Sequence, residues 1–320
     1  GPGEAIAKVF ACGSGLTIQH VKAGRMSADF PRIIGHEISA EIVELGSGVS
    51  GLEIGDGVTS YYYINCGHCR WCLSGYEPLC ENCLGNVGRE CDGGYAEYIK
   101  LPAHLFVKFP DGIDYQNHPA EMGVTMDALT TPYKVLKRGR VQPGETVVVF
   151  GAGGGVGIHQ LMLAIWAYAR AIAVDVAESK FQACRDAGAE EVINPHEIDV
   201  VEALMDLTNG KGVDVAIDYV SSSVTLEAAA ASLGRHGRMV TLGGAGGTFQ
   251  ANALEMLLKE QDLLGSRYAT RLEILETYDL VARGELWPIV TDIRPMEEAE
   301  AIHERVEEGE VTGRAAIIIQ

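Results

Sequence analysis

Six short apolar runs, each of the first five followed by a stretch of helical periodicity, constrain this chain more than any other feature. They are Thr146–Phe150, Ala171–Asp175, Glu191–Ile193, Val213–Asp218, Arg238–Gly243 and Asp262–Gly265. After Gly243 a Gly-rich loop intervenes before the helical stretch. Strands that alternate with crossover helices pair in parallel, so the expected fold class is α/β with a doubly wound, six-stranded parallel sheet.

The first part of the chain has a different texture. Residues 1 to about 128 are rich in Gly and in short β-branched runs, Ile38–Leu45 and Gly57–Ile64, broken by turn signals at Gly46-Ser47-Gly48 and Gly55-Asp56-Gly57. This predicts an irregular, β-rich, barrel-like domain. Beyond Tyr268 a helix is expected over Leu272–Arg283, then a run at Trp287–Ile293, a Glu-rich helix and a last apolar strand, Ala315–Ile319. The expected division is therefore 1–128 with 269–320 as one domain and 129–268 as the other. A length of 320 residues suits about two domains, and an apolar content of 47% is enough to build their cores.

The turn after the first run of the sheet reads Gly151-Ala152-Gly153-Gly154-Gly155-Val156-Gly157, and a helix follows. Glycines there let the backbone turn tightly and approach a pyrophosphate, whose charge sits at the helix N-terminus. The strict G-x-G-x-x-G frame fails at Val156, while Gly151-x-x-Gly154-x-x-Gly157 fits. An acid closes the second strand: Asp175 lies 18 residues beyond Gly157, near the roughly 20 expected for a ribose-binding carboxylate. Such a carboxylate accepts hydrogen bonds from ribose hydroxyls and repels a 2′-phosphate, which favours NAD over NADP. Lys180, five residues on, is placed to reach the same ribose, and Gly243 is counted among the cofactor-binding positions.

Cys66, Cys69, Cys72 and Cys80 form a C-x2-C-x2-C-x7-C run. Four thiolates in so short a span close a tetrahedral shell around Zn²⁺ and leave no position for substrate, the pattern of a structural site. Three further residue types suit a second, open zinc site: Cys12, His36 and a carboxylate, for which Glu121 and Asp127 compete. Their spacing alone does not decide between the two acids. Cys83, Cys91 and Cys184 carry no assigned role; Cys83 and Cys91, close to the four-cysteine loop, read as packed thiols rather than spare ones that exchange with it.

Net charge bounds the partners. At −19, with a pI of about 4.8, the chain is unsuited to a nucleic-acid backbone, and no apolar run reaches membrane-spanning length. Ordered, metal-like cysteine spacing argues for a reducing compartment, and a cytoplasmic location is expected.

Taken in order, these motifs resemble the zinc-containing medium-chain alcohol dehydrogenases over essentially the whole chain. The resemblance is carried by Cys12-Gly13-Ser14, Gly35-His36-Glu37, Gly55-Asp56-Gly57-Val58, the four-cysteine loop, the glycine turn and the acidic strand end. It implies a GroES-like catalytic domain with a Rossmann NAD-binding domain, and two zinc ions per chain, one catalytic and one structural. The family carries its third catalytic ligand four residues before a Thr and six before a Tyr, and Thr131-Pro132-Tyr133 puts that position at Asp127 rather than Glu121. Glu37 matches an acid that orients the metal ligands. Thr131 and Val156 match positions that pack the nicotinamide ring.

The implied reaction is hydride transfer between an alcohol, primary or secondary, and NAD, giving an aldehyde or ketone. Ser14 would take the hydroxyl proton. Many relatives end the relay with a His where this chain has Thr17, so Thr17, His20 one helical turn further on, or water fills that role here. Tyr62 falls where the family lines its pocket, and with Tyr61 and Tyr63 it hints at an aromatic or bulky substrate. Within the family the alternative is a polyol, sugar or amino-alcohol dehydrogenase; outside catalysis it is an NAD-binding relative that has lost activity. A homodimer or homotetramer is expected. The family normally carries a further segment with a first hairpin before Pro2-Gly3-Glu4, so a trimmed N-terminus is expected as well.

Overall fold

Alternating burial shapes the first strand, β1 (Glu4–Ser14): Ala5, Ala7 and Val9 are inside, while Glu4, Ile6 and Lys8 are partly exposed. That pattern belongs to a sheet with one covered face. From Ala11 to Ser14 every residue is buried, so Cys12 sits where the strand is covered on both sides. The computed structural model describes residues 1–319 and divides into two units, Gly1–Thr130 with the chain from Tyr268 onward, and Thr131–Arg267.

In the first unit β1 is followed by β2 (Glu37–Leu45), β3 (Gly57–Ser60), β4 (Tyr98–Pro102) and β5 (Phe106–Lys108). The second unit contributes β6 (Thr146–Phe150), β7 (Arg170–Val174), β8 (Glu191–Ile193), β9 (Val213–Asp218), β10 (Leu233–Thr241) and β11 (Asp262–Gly265). The chain then adds β12 (Val290–Pro295) and β13 (Arg314–Ile318) to the first sheet. That sheet runs β12-β13-β1-β2-β3-β5, with β4 also on β1. Cys12 pairs with Ile38 on β2 and Ile317 on β13, so strands from both ends of the chain hold it.

The second sheet is parallel and six-stranded, in the order β11-β10-β9-β6-β7-β8. Its central strand, Thr-Val-Val-Val-Phe, is buried from Val147 to Phe150, as a strand covered on both faces must be. The strand order reverses about β6, and the Gly151–Gly157 turn lies at its C-terminal end, where open α/β sheets bind ligands.

Several expected element bounds shift. Gly57–Ile64 stops as a strand at Ser60. Tyr61–Ile64 instead faces 84–87, with Ile64 N donating to Gly85 O and Leu84 N to Ile64 O, each at 2.9 Å. The run expected to start at Arg238 begins at Leu233, and the run expected from Trp287 begins at Val290. The helix expected from Leu272 starts at Arg271 because Thr270 and Glu273 form a reciprocal capping box. Among the described residues no helix is long and apolar enough to cross a membrane.

Helix Ala299–Glu307 carries the buried His303. Its Nδ1 lies 3.0 Å from Lys22 Nζ and its Nε2 3.2 Å from Tyr95 Oη, and Glu300 faces the same ring nitrogen as Lys22. Burial, then Lys22, holds its pKa down at about 4, below the ordinary 6.5. Between those values the unfolded chain takes up a proton that the folded chain refuses, so stability is lost as pH falls from 6.5 towards 4. Unfolding at pH 7.5 and at pH 5 is expected to show a fall of about 2 kcal/mol from this group. In His303→Gln that component disappears, and an unchanged pH dependence in the variant would contradict the assignment.

Candidate active site

Two donor sets stand out among the described residues, and both lie in the first unit. The first is the cysteine quartet. Its Sγ atoms are separated by 3.5 Å (Cys69–Cys72), 3.6 Å (Cys66–Cys80), 3.9 Å (Cys69–Cys80) and 4.0 Å (Cys66–Cys72). Thiolates bound tetrahedrally to zinc at about 2.3 Å stand about 3.8 Å apart, so the residues fit the ion. Backbone N–H groups face the sulfurs, Cys69 N on Cys66 Sγ and Cys66 N on Cys80 Sγ, each at 3.4 Å. The backbone N–H of His68 leads the groups that bring the Cys66 thiol down to about 6.

The second set is His36, Glu37 and Asp127, whose donor atoms all lie within 4.8 Å of one another. His36 and Glu37 stand where the chain enters β2. Asp127 comes from a π-helical turn, Thr125–Leu129, that continues the helix Pro119–Val124. Gly123 lets that helix pack closely, because a Cβ there would meet Glu37 O at 2.7 Å. Widened turns of this kind recur at functional sites, where the extra residue redirects a side chain. His36 Nε2 is buried, has no hydrogen-bond partner among the described residues, and lies 3.6 Å from Asp127 Oδ2. Two ligands of one tetrahedral zinc stand about 3.3 Å apart at N and O bond lengths, which this pair approaches. Glu121 is not in the set.

Cys12 is fully buried, but its sulfur is not in the mutual 4.8 Å group. Burial first, then Glu37, pushes its thiol well above the ordinary value. A thiolate at this position therefore needs a cation, and a divalent metal supplies one.

Arg314 is a participant the motifs did not reveal. From the head of β13 it donates Nε to Glu37 Oε2 at 3.1 Å and Nη2 to Glu37 Oε1, and Nη2 also reaches Asp127 Oδ2 at 3.2 Å. Gly13 and Gly15 leave room for this pair, since side chains there would collide with Glu37 and Arg314. Burial pushes the Glu37 carboxyl up while Arg314 works against it. Arg314→Leu strands a buried carboxylate and is expected to cost about 3–5 kcal/mol in denaturant unfolding, with part regained in Arg314→Leu/Glu37→Gln. A loss below about 1 kcal/mol would contradict the pairing.

Tyr62 and Tyr268 pack against His36, and Tyr63 packs against both tyrosines. The Tyr62 and Tyr268 rings stack at 4.5 Å and 2°, with the imidazole 4.7 Å from Tyr62 and 5.9 Å from Tyr268. Ser14 is buried at the end of β1, and its Oγ has no hydrogen-bond partner among the described residues. Thr17 and His20 lie on the helix Leu16–Lys22, and the charges acting on His20 are Arg25 and Glu307 rather than Asp127 or Glu37.

The glycine turn in the second unit is closed by its own acid: Gly153 N donates to Asp175 Oδ2 at 2.7 Å and Ala177 N to Asp175 Oδ1 at 3.0 Å. A Cβ on Gly157 would strike Gly151 O at 2.1 Å, so the helix can start there only with glycine. Lys180 is buried against Gly153, and the position of Gly243 allows no side chain against Val220. Gly154 adds its N–H to Gly151 O, and Gly155 O lies 2.6 Å from His159 Nδ1. Val156 precedes the helix Gly157–Trp166, and Thr131 is buried in the helix Thr130–Arg138.

A parallel sheet with a glycine turn, a β-rich unit and two zinc-fitting donor sets define a zinc-binding dehydrogenase. Family comparison agrees, matching an alcohol dehydrogenase GroES-like domain over residues 1–111 and a zinc-binding dehydrogenase domain over 155–283. An alcohol dehydrogenase of Geobacillus stearothermophilus is 35% identical over 98% of this chain and 91% of its own. Among solved structures, the alcohol dehydrogenase of Aeropyrum pernix superposes with a TM-score of 0.89 at 32% identity, covering 99% of this chain and 93% of that one. Acetophenone reductase from Geotrichum candidum, in complex with NAD, gives 0.84 at 29% identity over 99% and 90%. The chain belongs to the zinc-containing medium-chain dehydrogenase/reductase family, as an alcohol dehydrogenase.

Proposed function

We propose that this enzyme transfers hydride between NAD and a bulky or aromatic alcohol, using a catalytic zinc held by Cys12, His36 and Asp127. The observation that carries the reading is the buried His36 Nε2, without a hydrogen-bond partner among the described residues and 3.6 Å from Asp127 Oδ2. A second zinc, held by Cys66, Cys69, Cys72 and Cys80, braces the fold.

The catalytic zinc supplies Lewis acidity to the alcohol hydroxyl, and NAD supplies the hydride acceptor. The chain's own residues do the rest. Ser14, two residues from Cys12, accepts the hydroxyl proton as it passes its own on towards solvent. Glu37, fixed by Arg314, stands beside His36 and Asp127 as the acid that orients the ligands, and the Arg314 guanidinium balances the two carboxylates it bonds. Asp175 and Lys180 hold the ribose, and the Gly151–Gly157 turn receives the pyrophosphate. The aromatic residues around His36 support a flat or bulky substrate, and the name of the Geotrichum candidum relative points the same way.

The test is reduction of NAD⁺ and NADP⁺ by the purified protein with benzyl alcohol, 1-phenylethanol and 2-butanol. NAD⁺ is expected to be preferred, and Asp175→Ser to narrow that preference about tenfold or more. Two bound zinc ions with no turnover of any alcohol would contradict the reading.

A further inference from the structure

Tyr268 combines three features that its neighbours do not share. It follows β11 with a φ of 48°, in the left-handed region, where a bulky residue is uncommon and is held only by its surroundings. Its ring lies flush on Tyr62, with Tyr63 edge-on to both at 4.9 Å (Tyr62) and 5.6 Å (Tyr268). Its hydroxyl oxygen is buried and has no hydrogen-bond partner among the described residues.

These features point in one direction. A buried hydroxyl without a partner is rare in a folded protein, because desolvation goes uncompensated. A backbone outlier is a reason to look for a function rather than proof of one. Both occur on a ring whose centroid is 5.9 Å from that of His36. An aromatic ring attracts another flat π system more strongly than a saturated chain of similar size. The hydroxyl can donate one proton, and an alcohol or carbonyl oxygen is the acceptor a substrate of this enzyme brings.

We propose that Tyr268 determines which alcohols the site accepts: its ring, stacked on Tyr62, is the wall for an aryl or conjugated substrate, and its hydroxyl donates a hydrogen bond to a substrate oxygen. The proposal rests on the alcohol–NAD reading of the site and adds to it the residue that sets the preference for aryl substrates. Tyr268 acts on binding and orientation, so its effect falls on KM and on relative specificity.

The experiment uses the full chain loaded with zinc, as wild type, Tyr268→Phe and Tyr268→Ala. Binding of acetophenone to the NAD⁺ complex, a combination that cannot react, is measured by calorimetry. The ratio of kcat/KM for 1-phenylethanol over 2-butanol is measured beside it. Tyr268→Phe keeps the wall and removes the donor; acetophenone binding is expected to weaken about three- to tenfold with the ratio held within about twofold. Tyr268→Ala removes both; binding is expected to weaken more than tenfold and the ratio to fall about tenfold. Binding within about twofold of wild type in both variants would overturn the proposal. Wild type that binds acetophenone but turns over neither alcohol defeats the dehydrogenase reading, and the two variants still decide the wall by binding. Wild type that oxidises 2-butanol but does not bind acetophenone defeats the wall alone. Neither binding nor turnover defeats both.

Discussion

Asp127→Ala is expected to lower kcat/KM with NAD⁺ and any accepted alcohol by about 10³-fold or more. Asp127 Oδ2 lies 3.6 Å from His36 Nε2, whereas both oxygens of Glu37, the other carboxylate of the group, are taken by Arg314. Removing Asp127 takes away the proposed ligand and one acceptor of the Arg314 guanidinium. Asp127→Asn keeps the shape but not the charge and is expected to fall between wild type and alanine. Steady-state kinetics at saturating NAD⁺ measures both. A loss within tenfold for Asp127→Ala would remove it from the ligand set and return attention to Glu121.

The second large effect belongs to the cysteine quartet. Cys69→Ser opens the tetrahedron, and without its zinc three thiols are left around an empty centre. The quartet spans the turn between Tyr61–Ile64 and the strand-like 84–87 segment, which are joined by the Ile64–Gly85 and Leu84–Ile64 hydrogen bonds and by Val87 N on Tyr62 O. Losing the ion therefore frees the backbone that presents Tyr62 to His36. A stability loss of about 3–5 kcal/mol is expected, which lowers Tm by roughly 10 °C for a unit of this size. Thermal unfolding followed by circular dichroism measures it, and an unchanged Tm would show that the quartet does not brace the fold. Asp127→Ala should leave Tm much closer to wild type, which separates the brace from the chemistry.

The two sites were legible to different degrees, for a physical reason. A structural zinc draws its four ligands from one short loop, so Cys66, Cys69, Cys72 and Cys80 carry their geometry in their spacing. The strand–turn–helix after Phe150 and the acid at Asp175 are also local, and the periodicity of the six runs foretold the parallel sheet. His36 and Asp127 are distant in sequence, and packing of the helix Pro119–Val124 on β1 and β2 brings them together. No spacing records that, and the choice of Asp127 over Glu121 came from resemblance. Arg314 was invisible because its role depends on β13 pairing with β1, which sets Ala315 opposite Ser14. A charged residue at the head of the apolar run Ala315–Ile319 was the available signal. His20 shows the limit of a one-turn argument: it fixes a position on a helix and says nothing of the charges facing it, here Arg25 and Glu307.

If one chain holds two zinc ions in separate roles, its metal content reports both. After dialysis against a weak chelator, zinc is quantified per chain in wild type, Asp127→Ala and Cys69→Ser. Two ions are expected in wild type and one in each variant, with alcohol oxidation lost in Asp127→Ala while its Tm stays near that of wild type. A single ion in wild type, or two retained in Asp127→Ala, would contradict it.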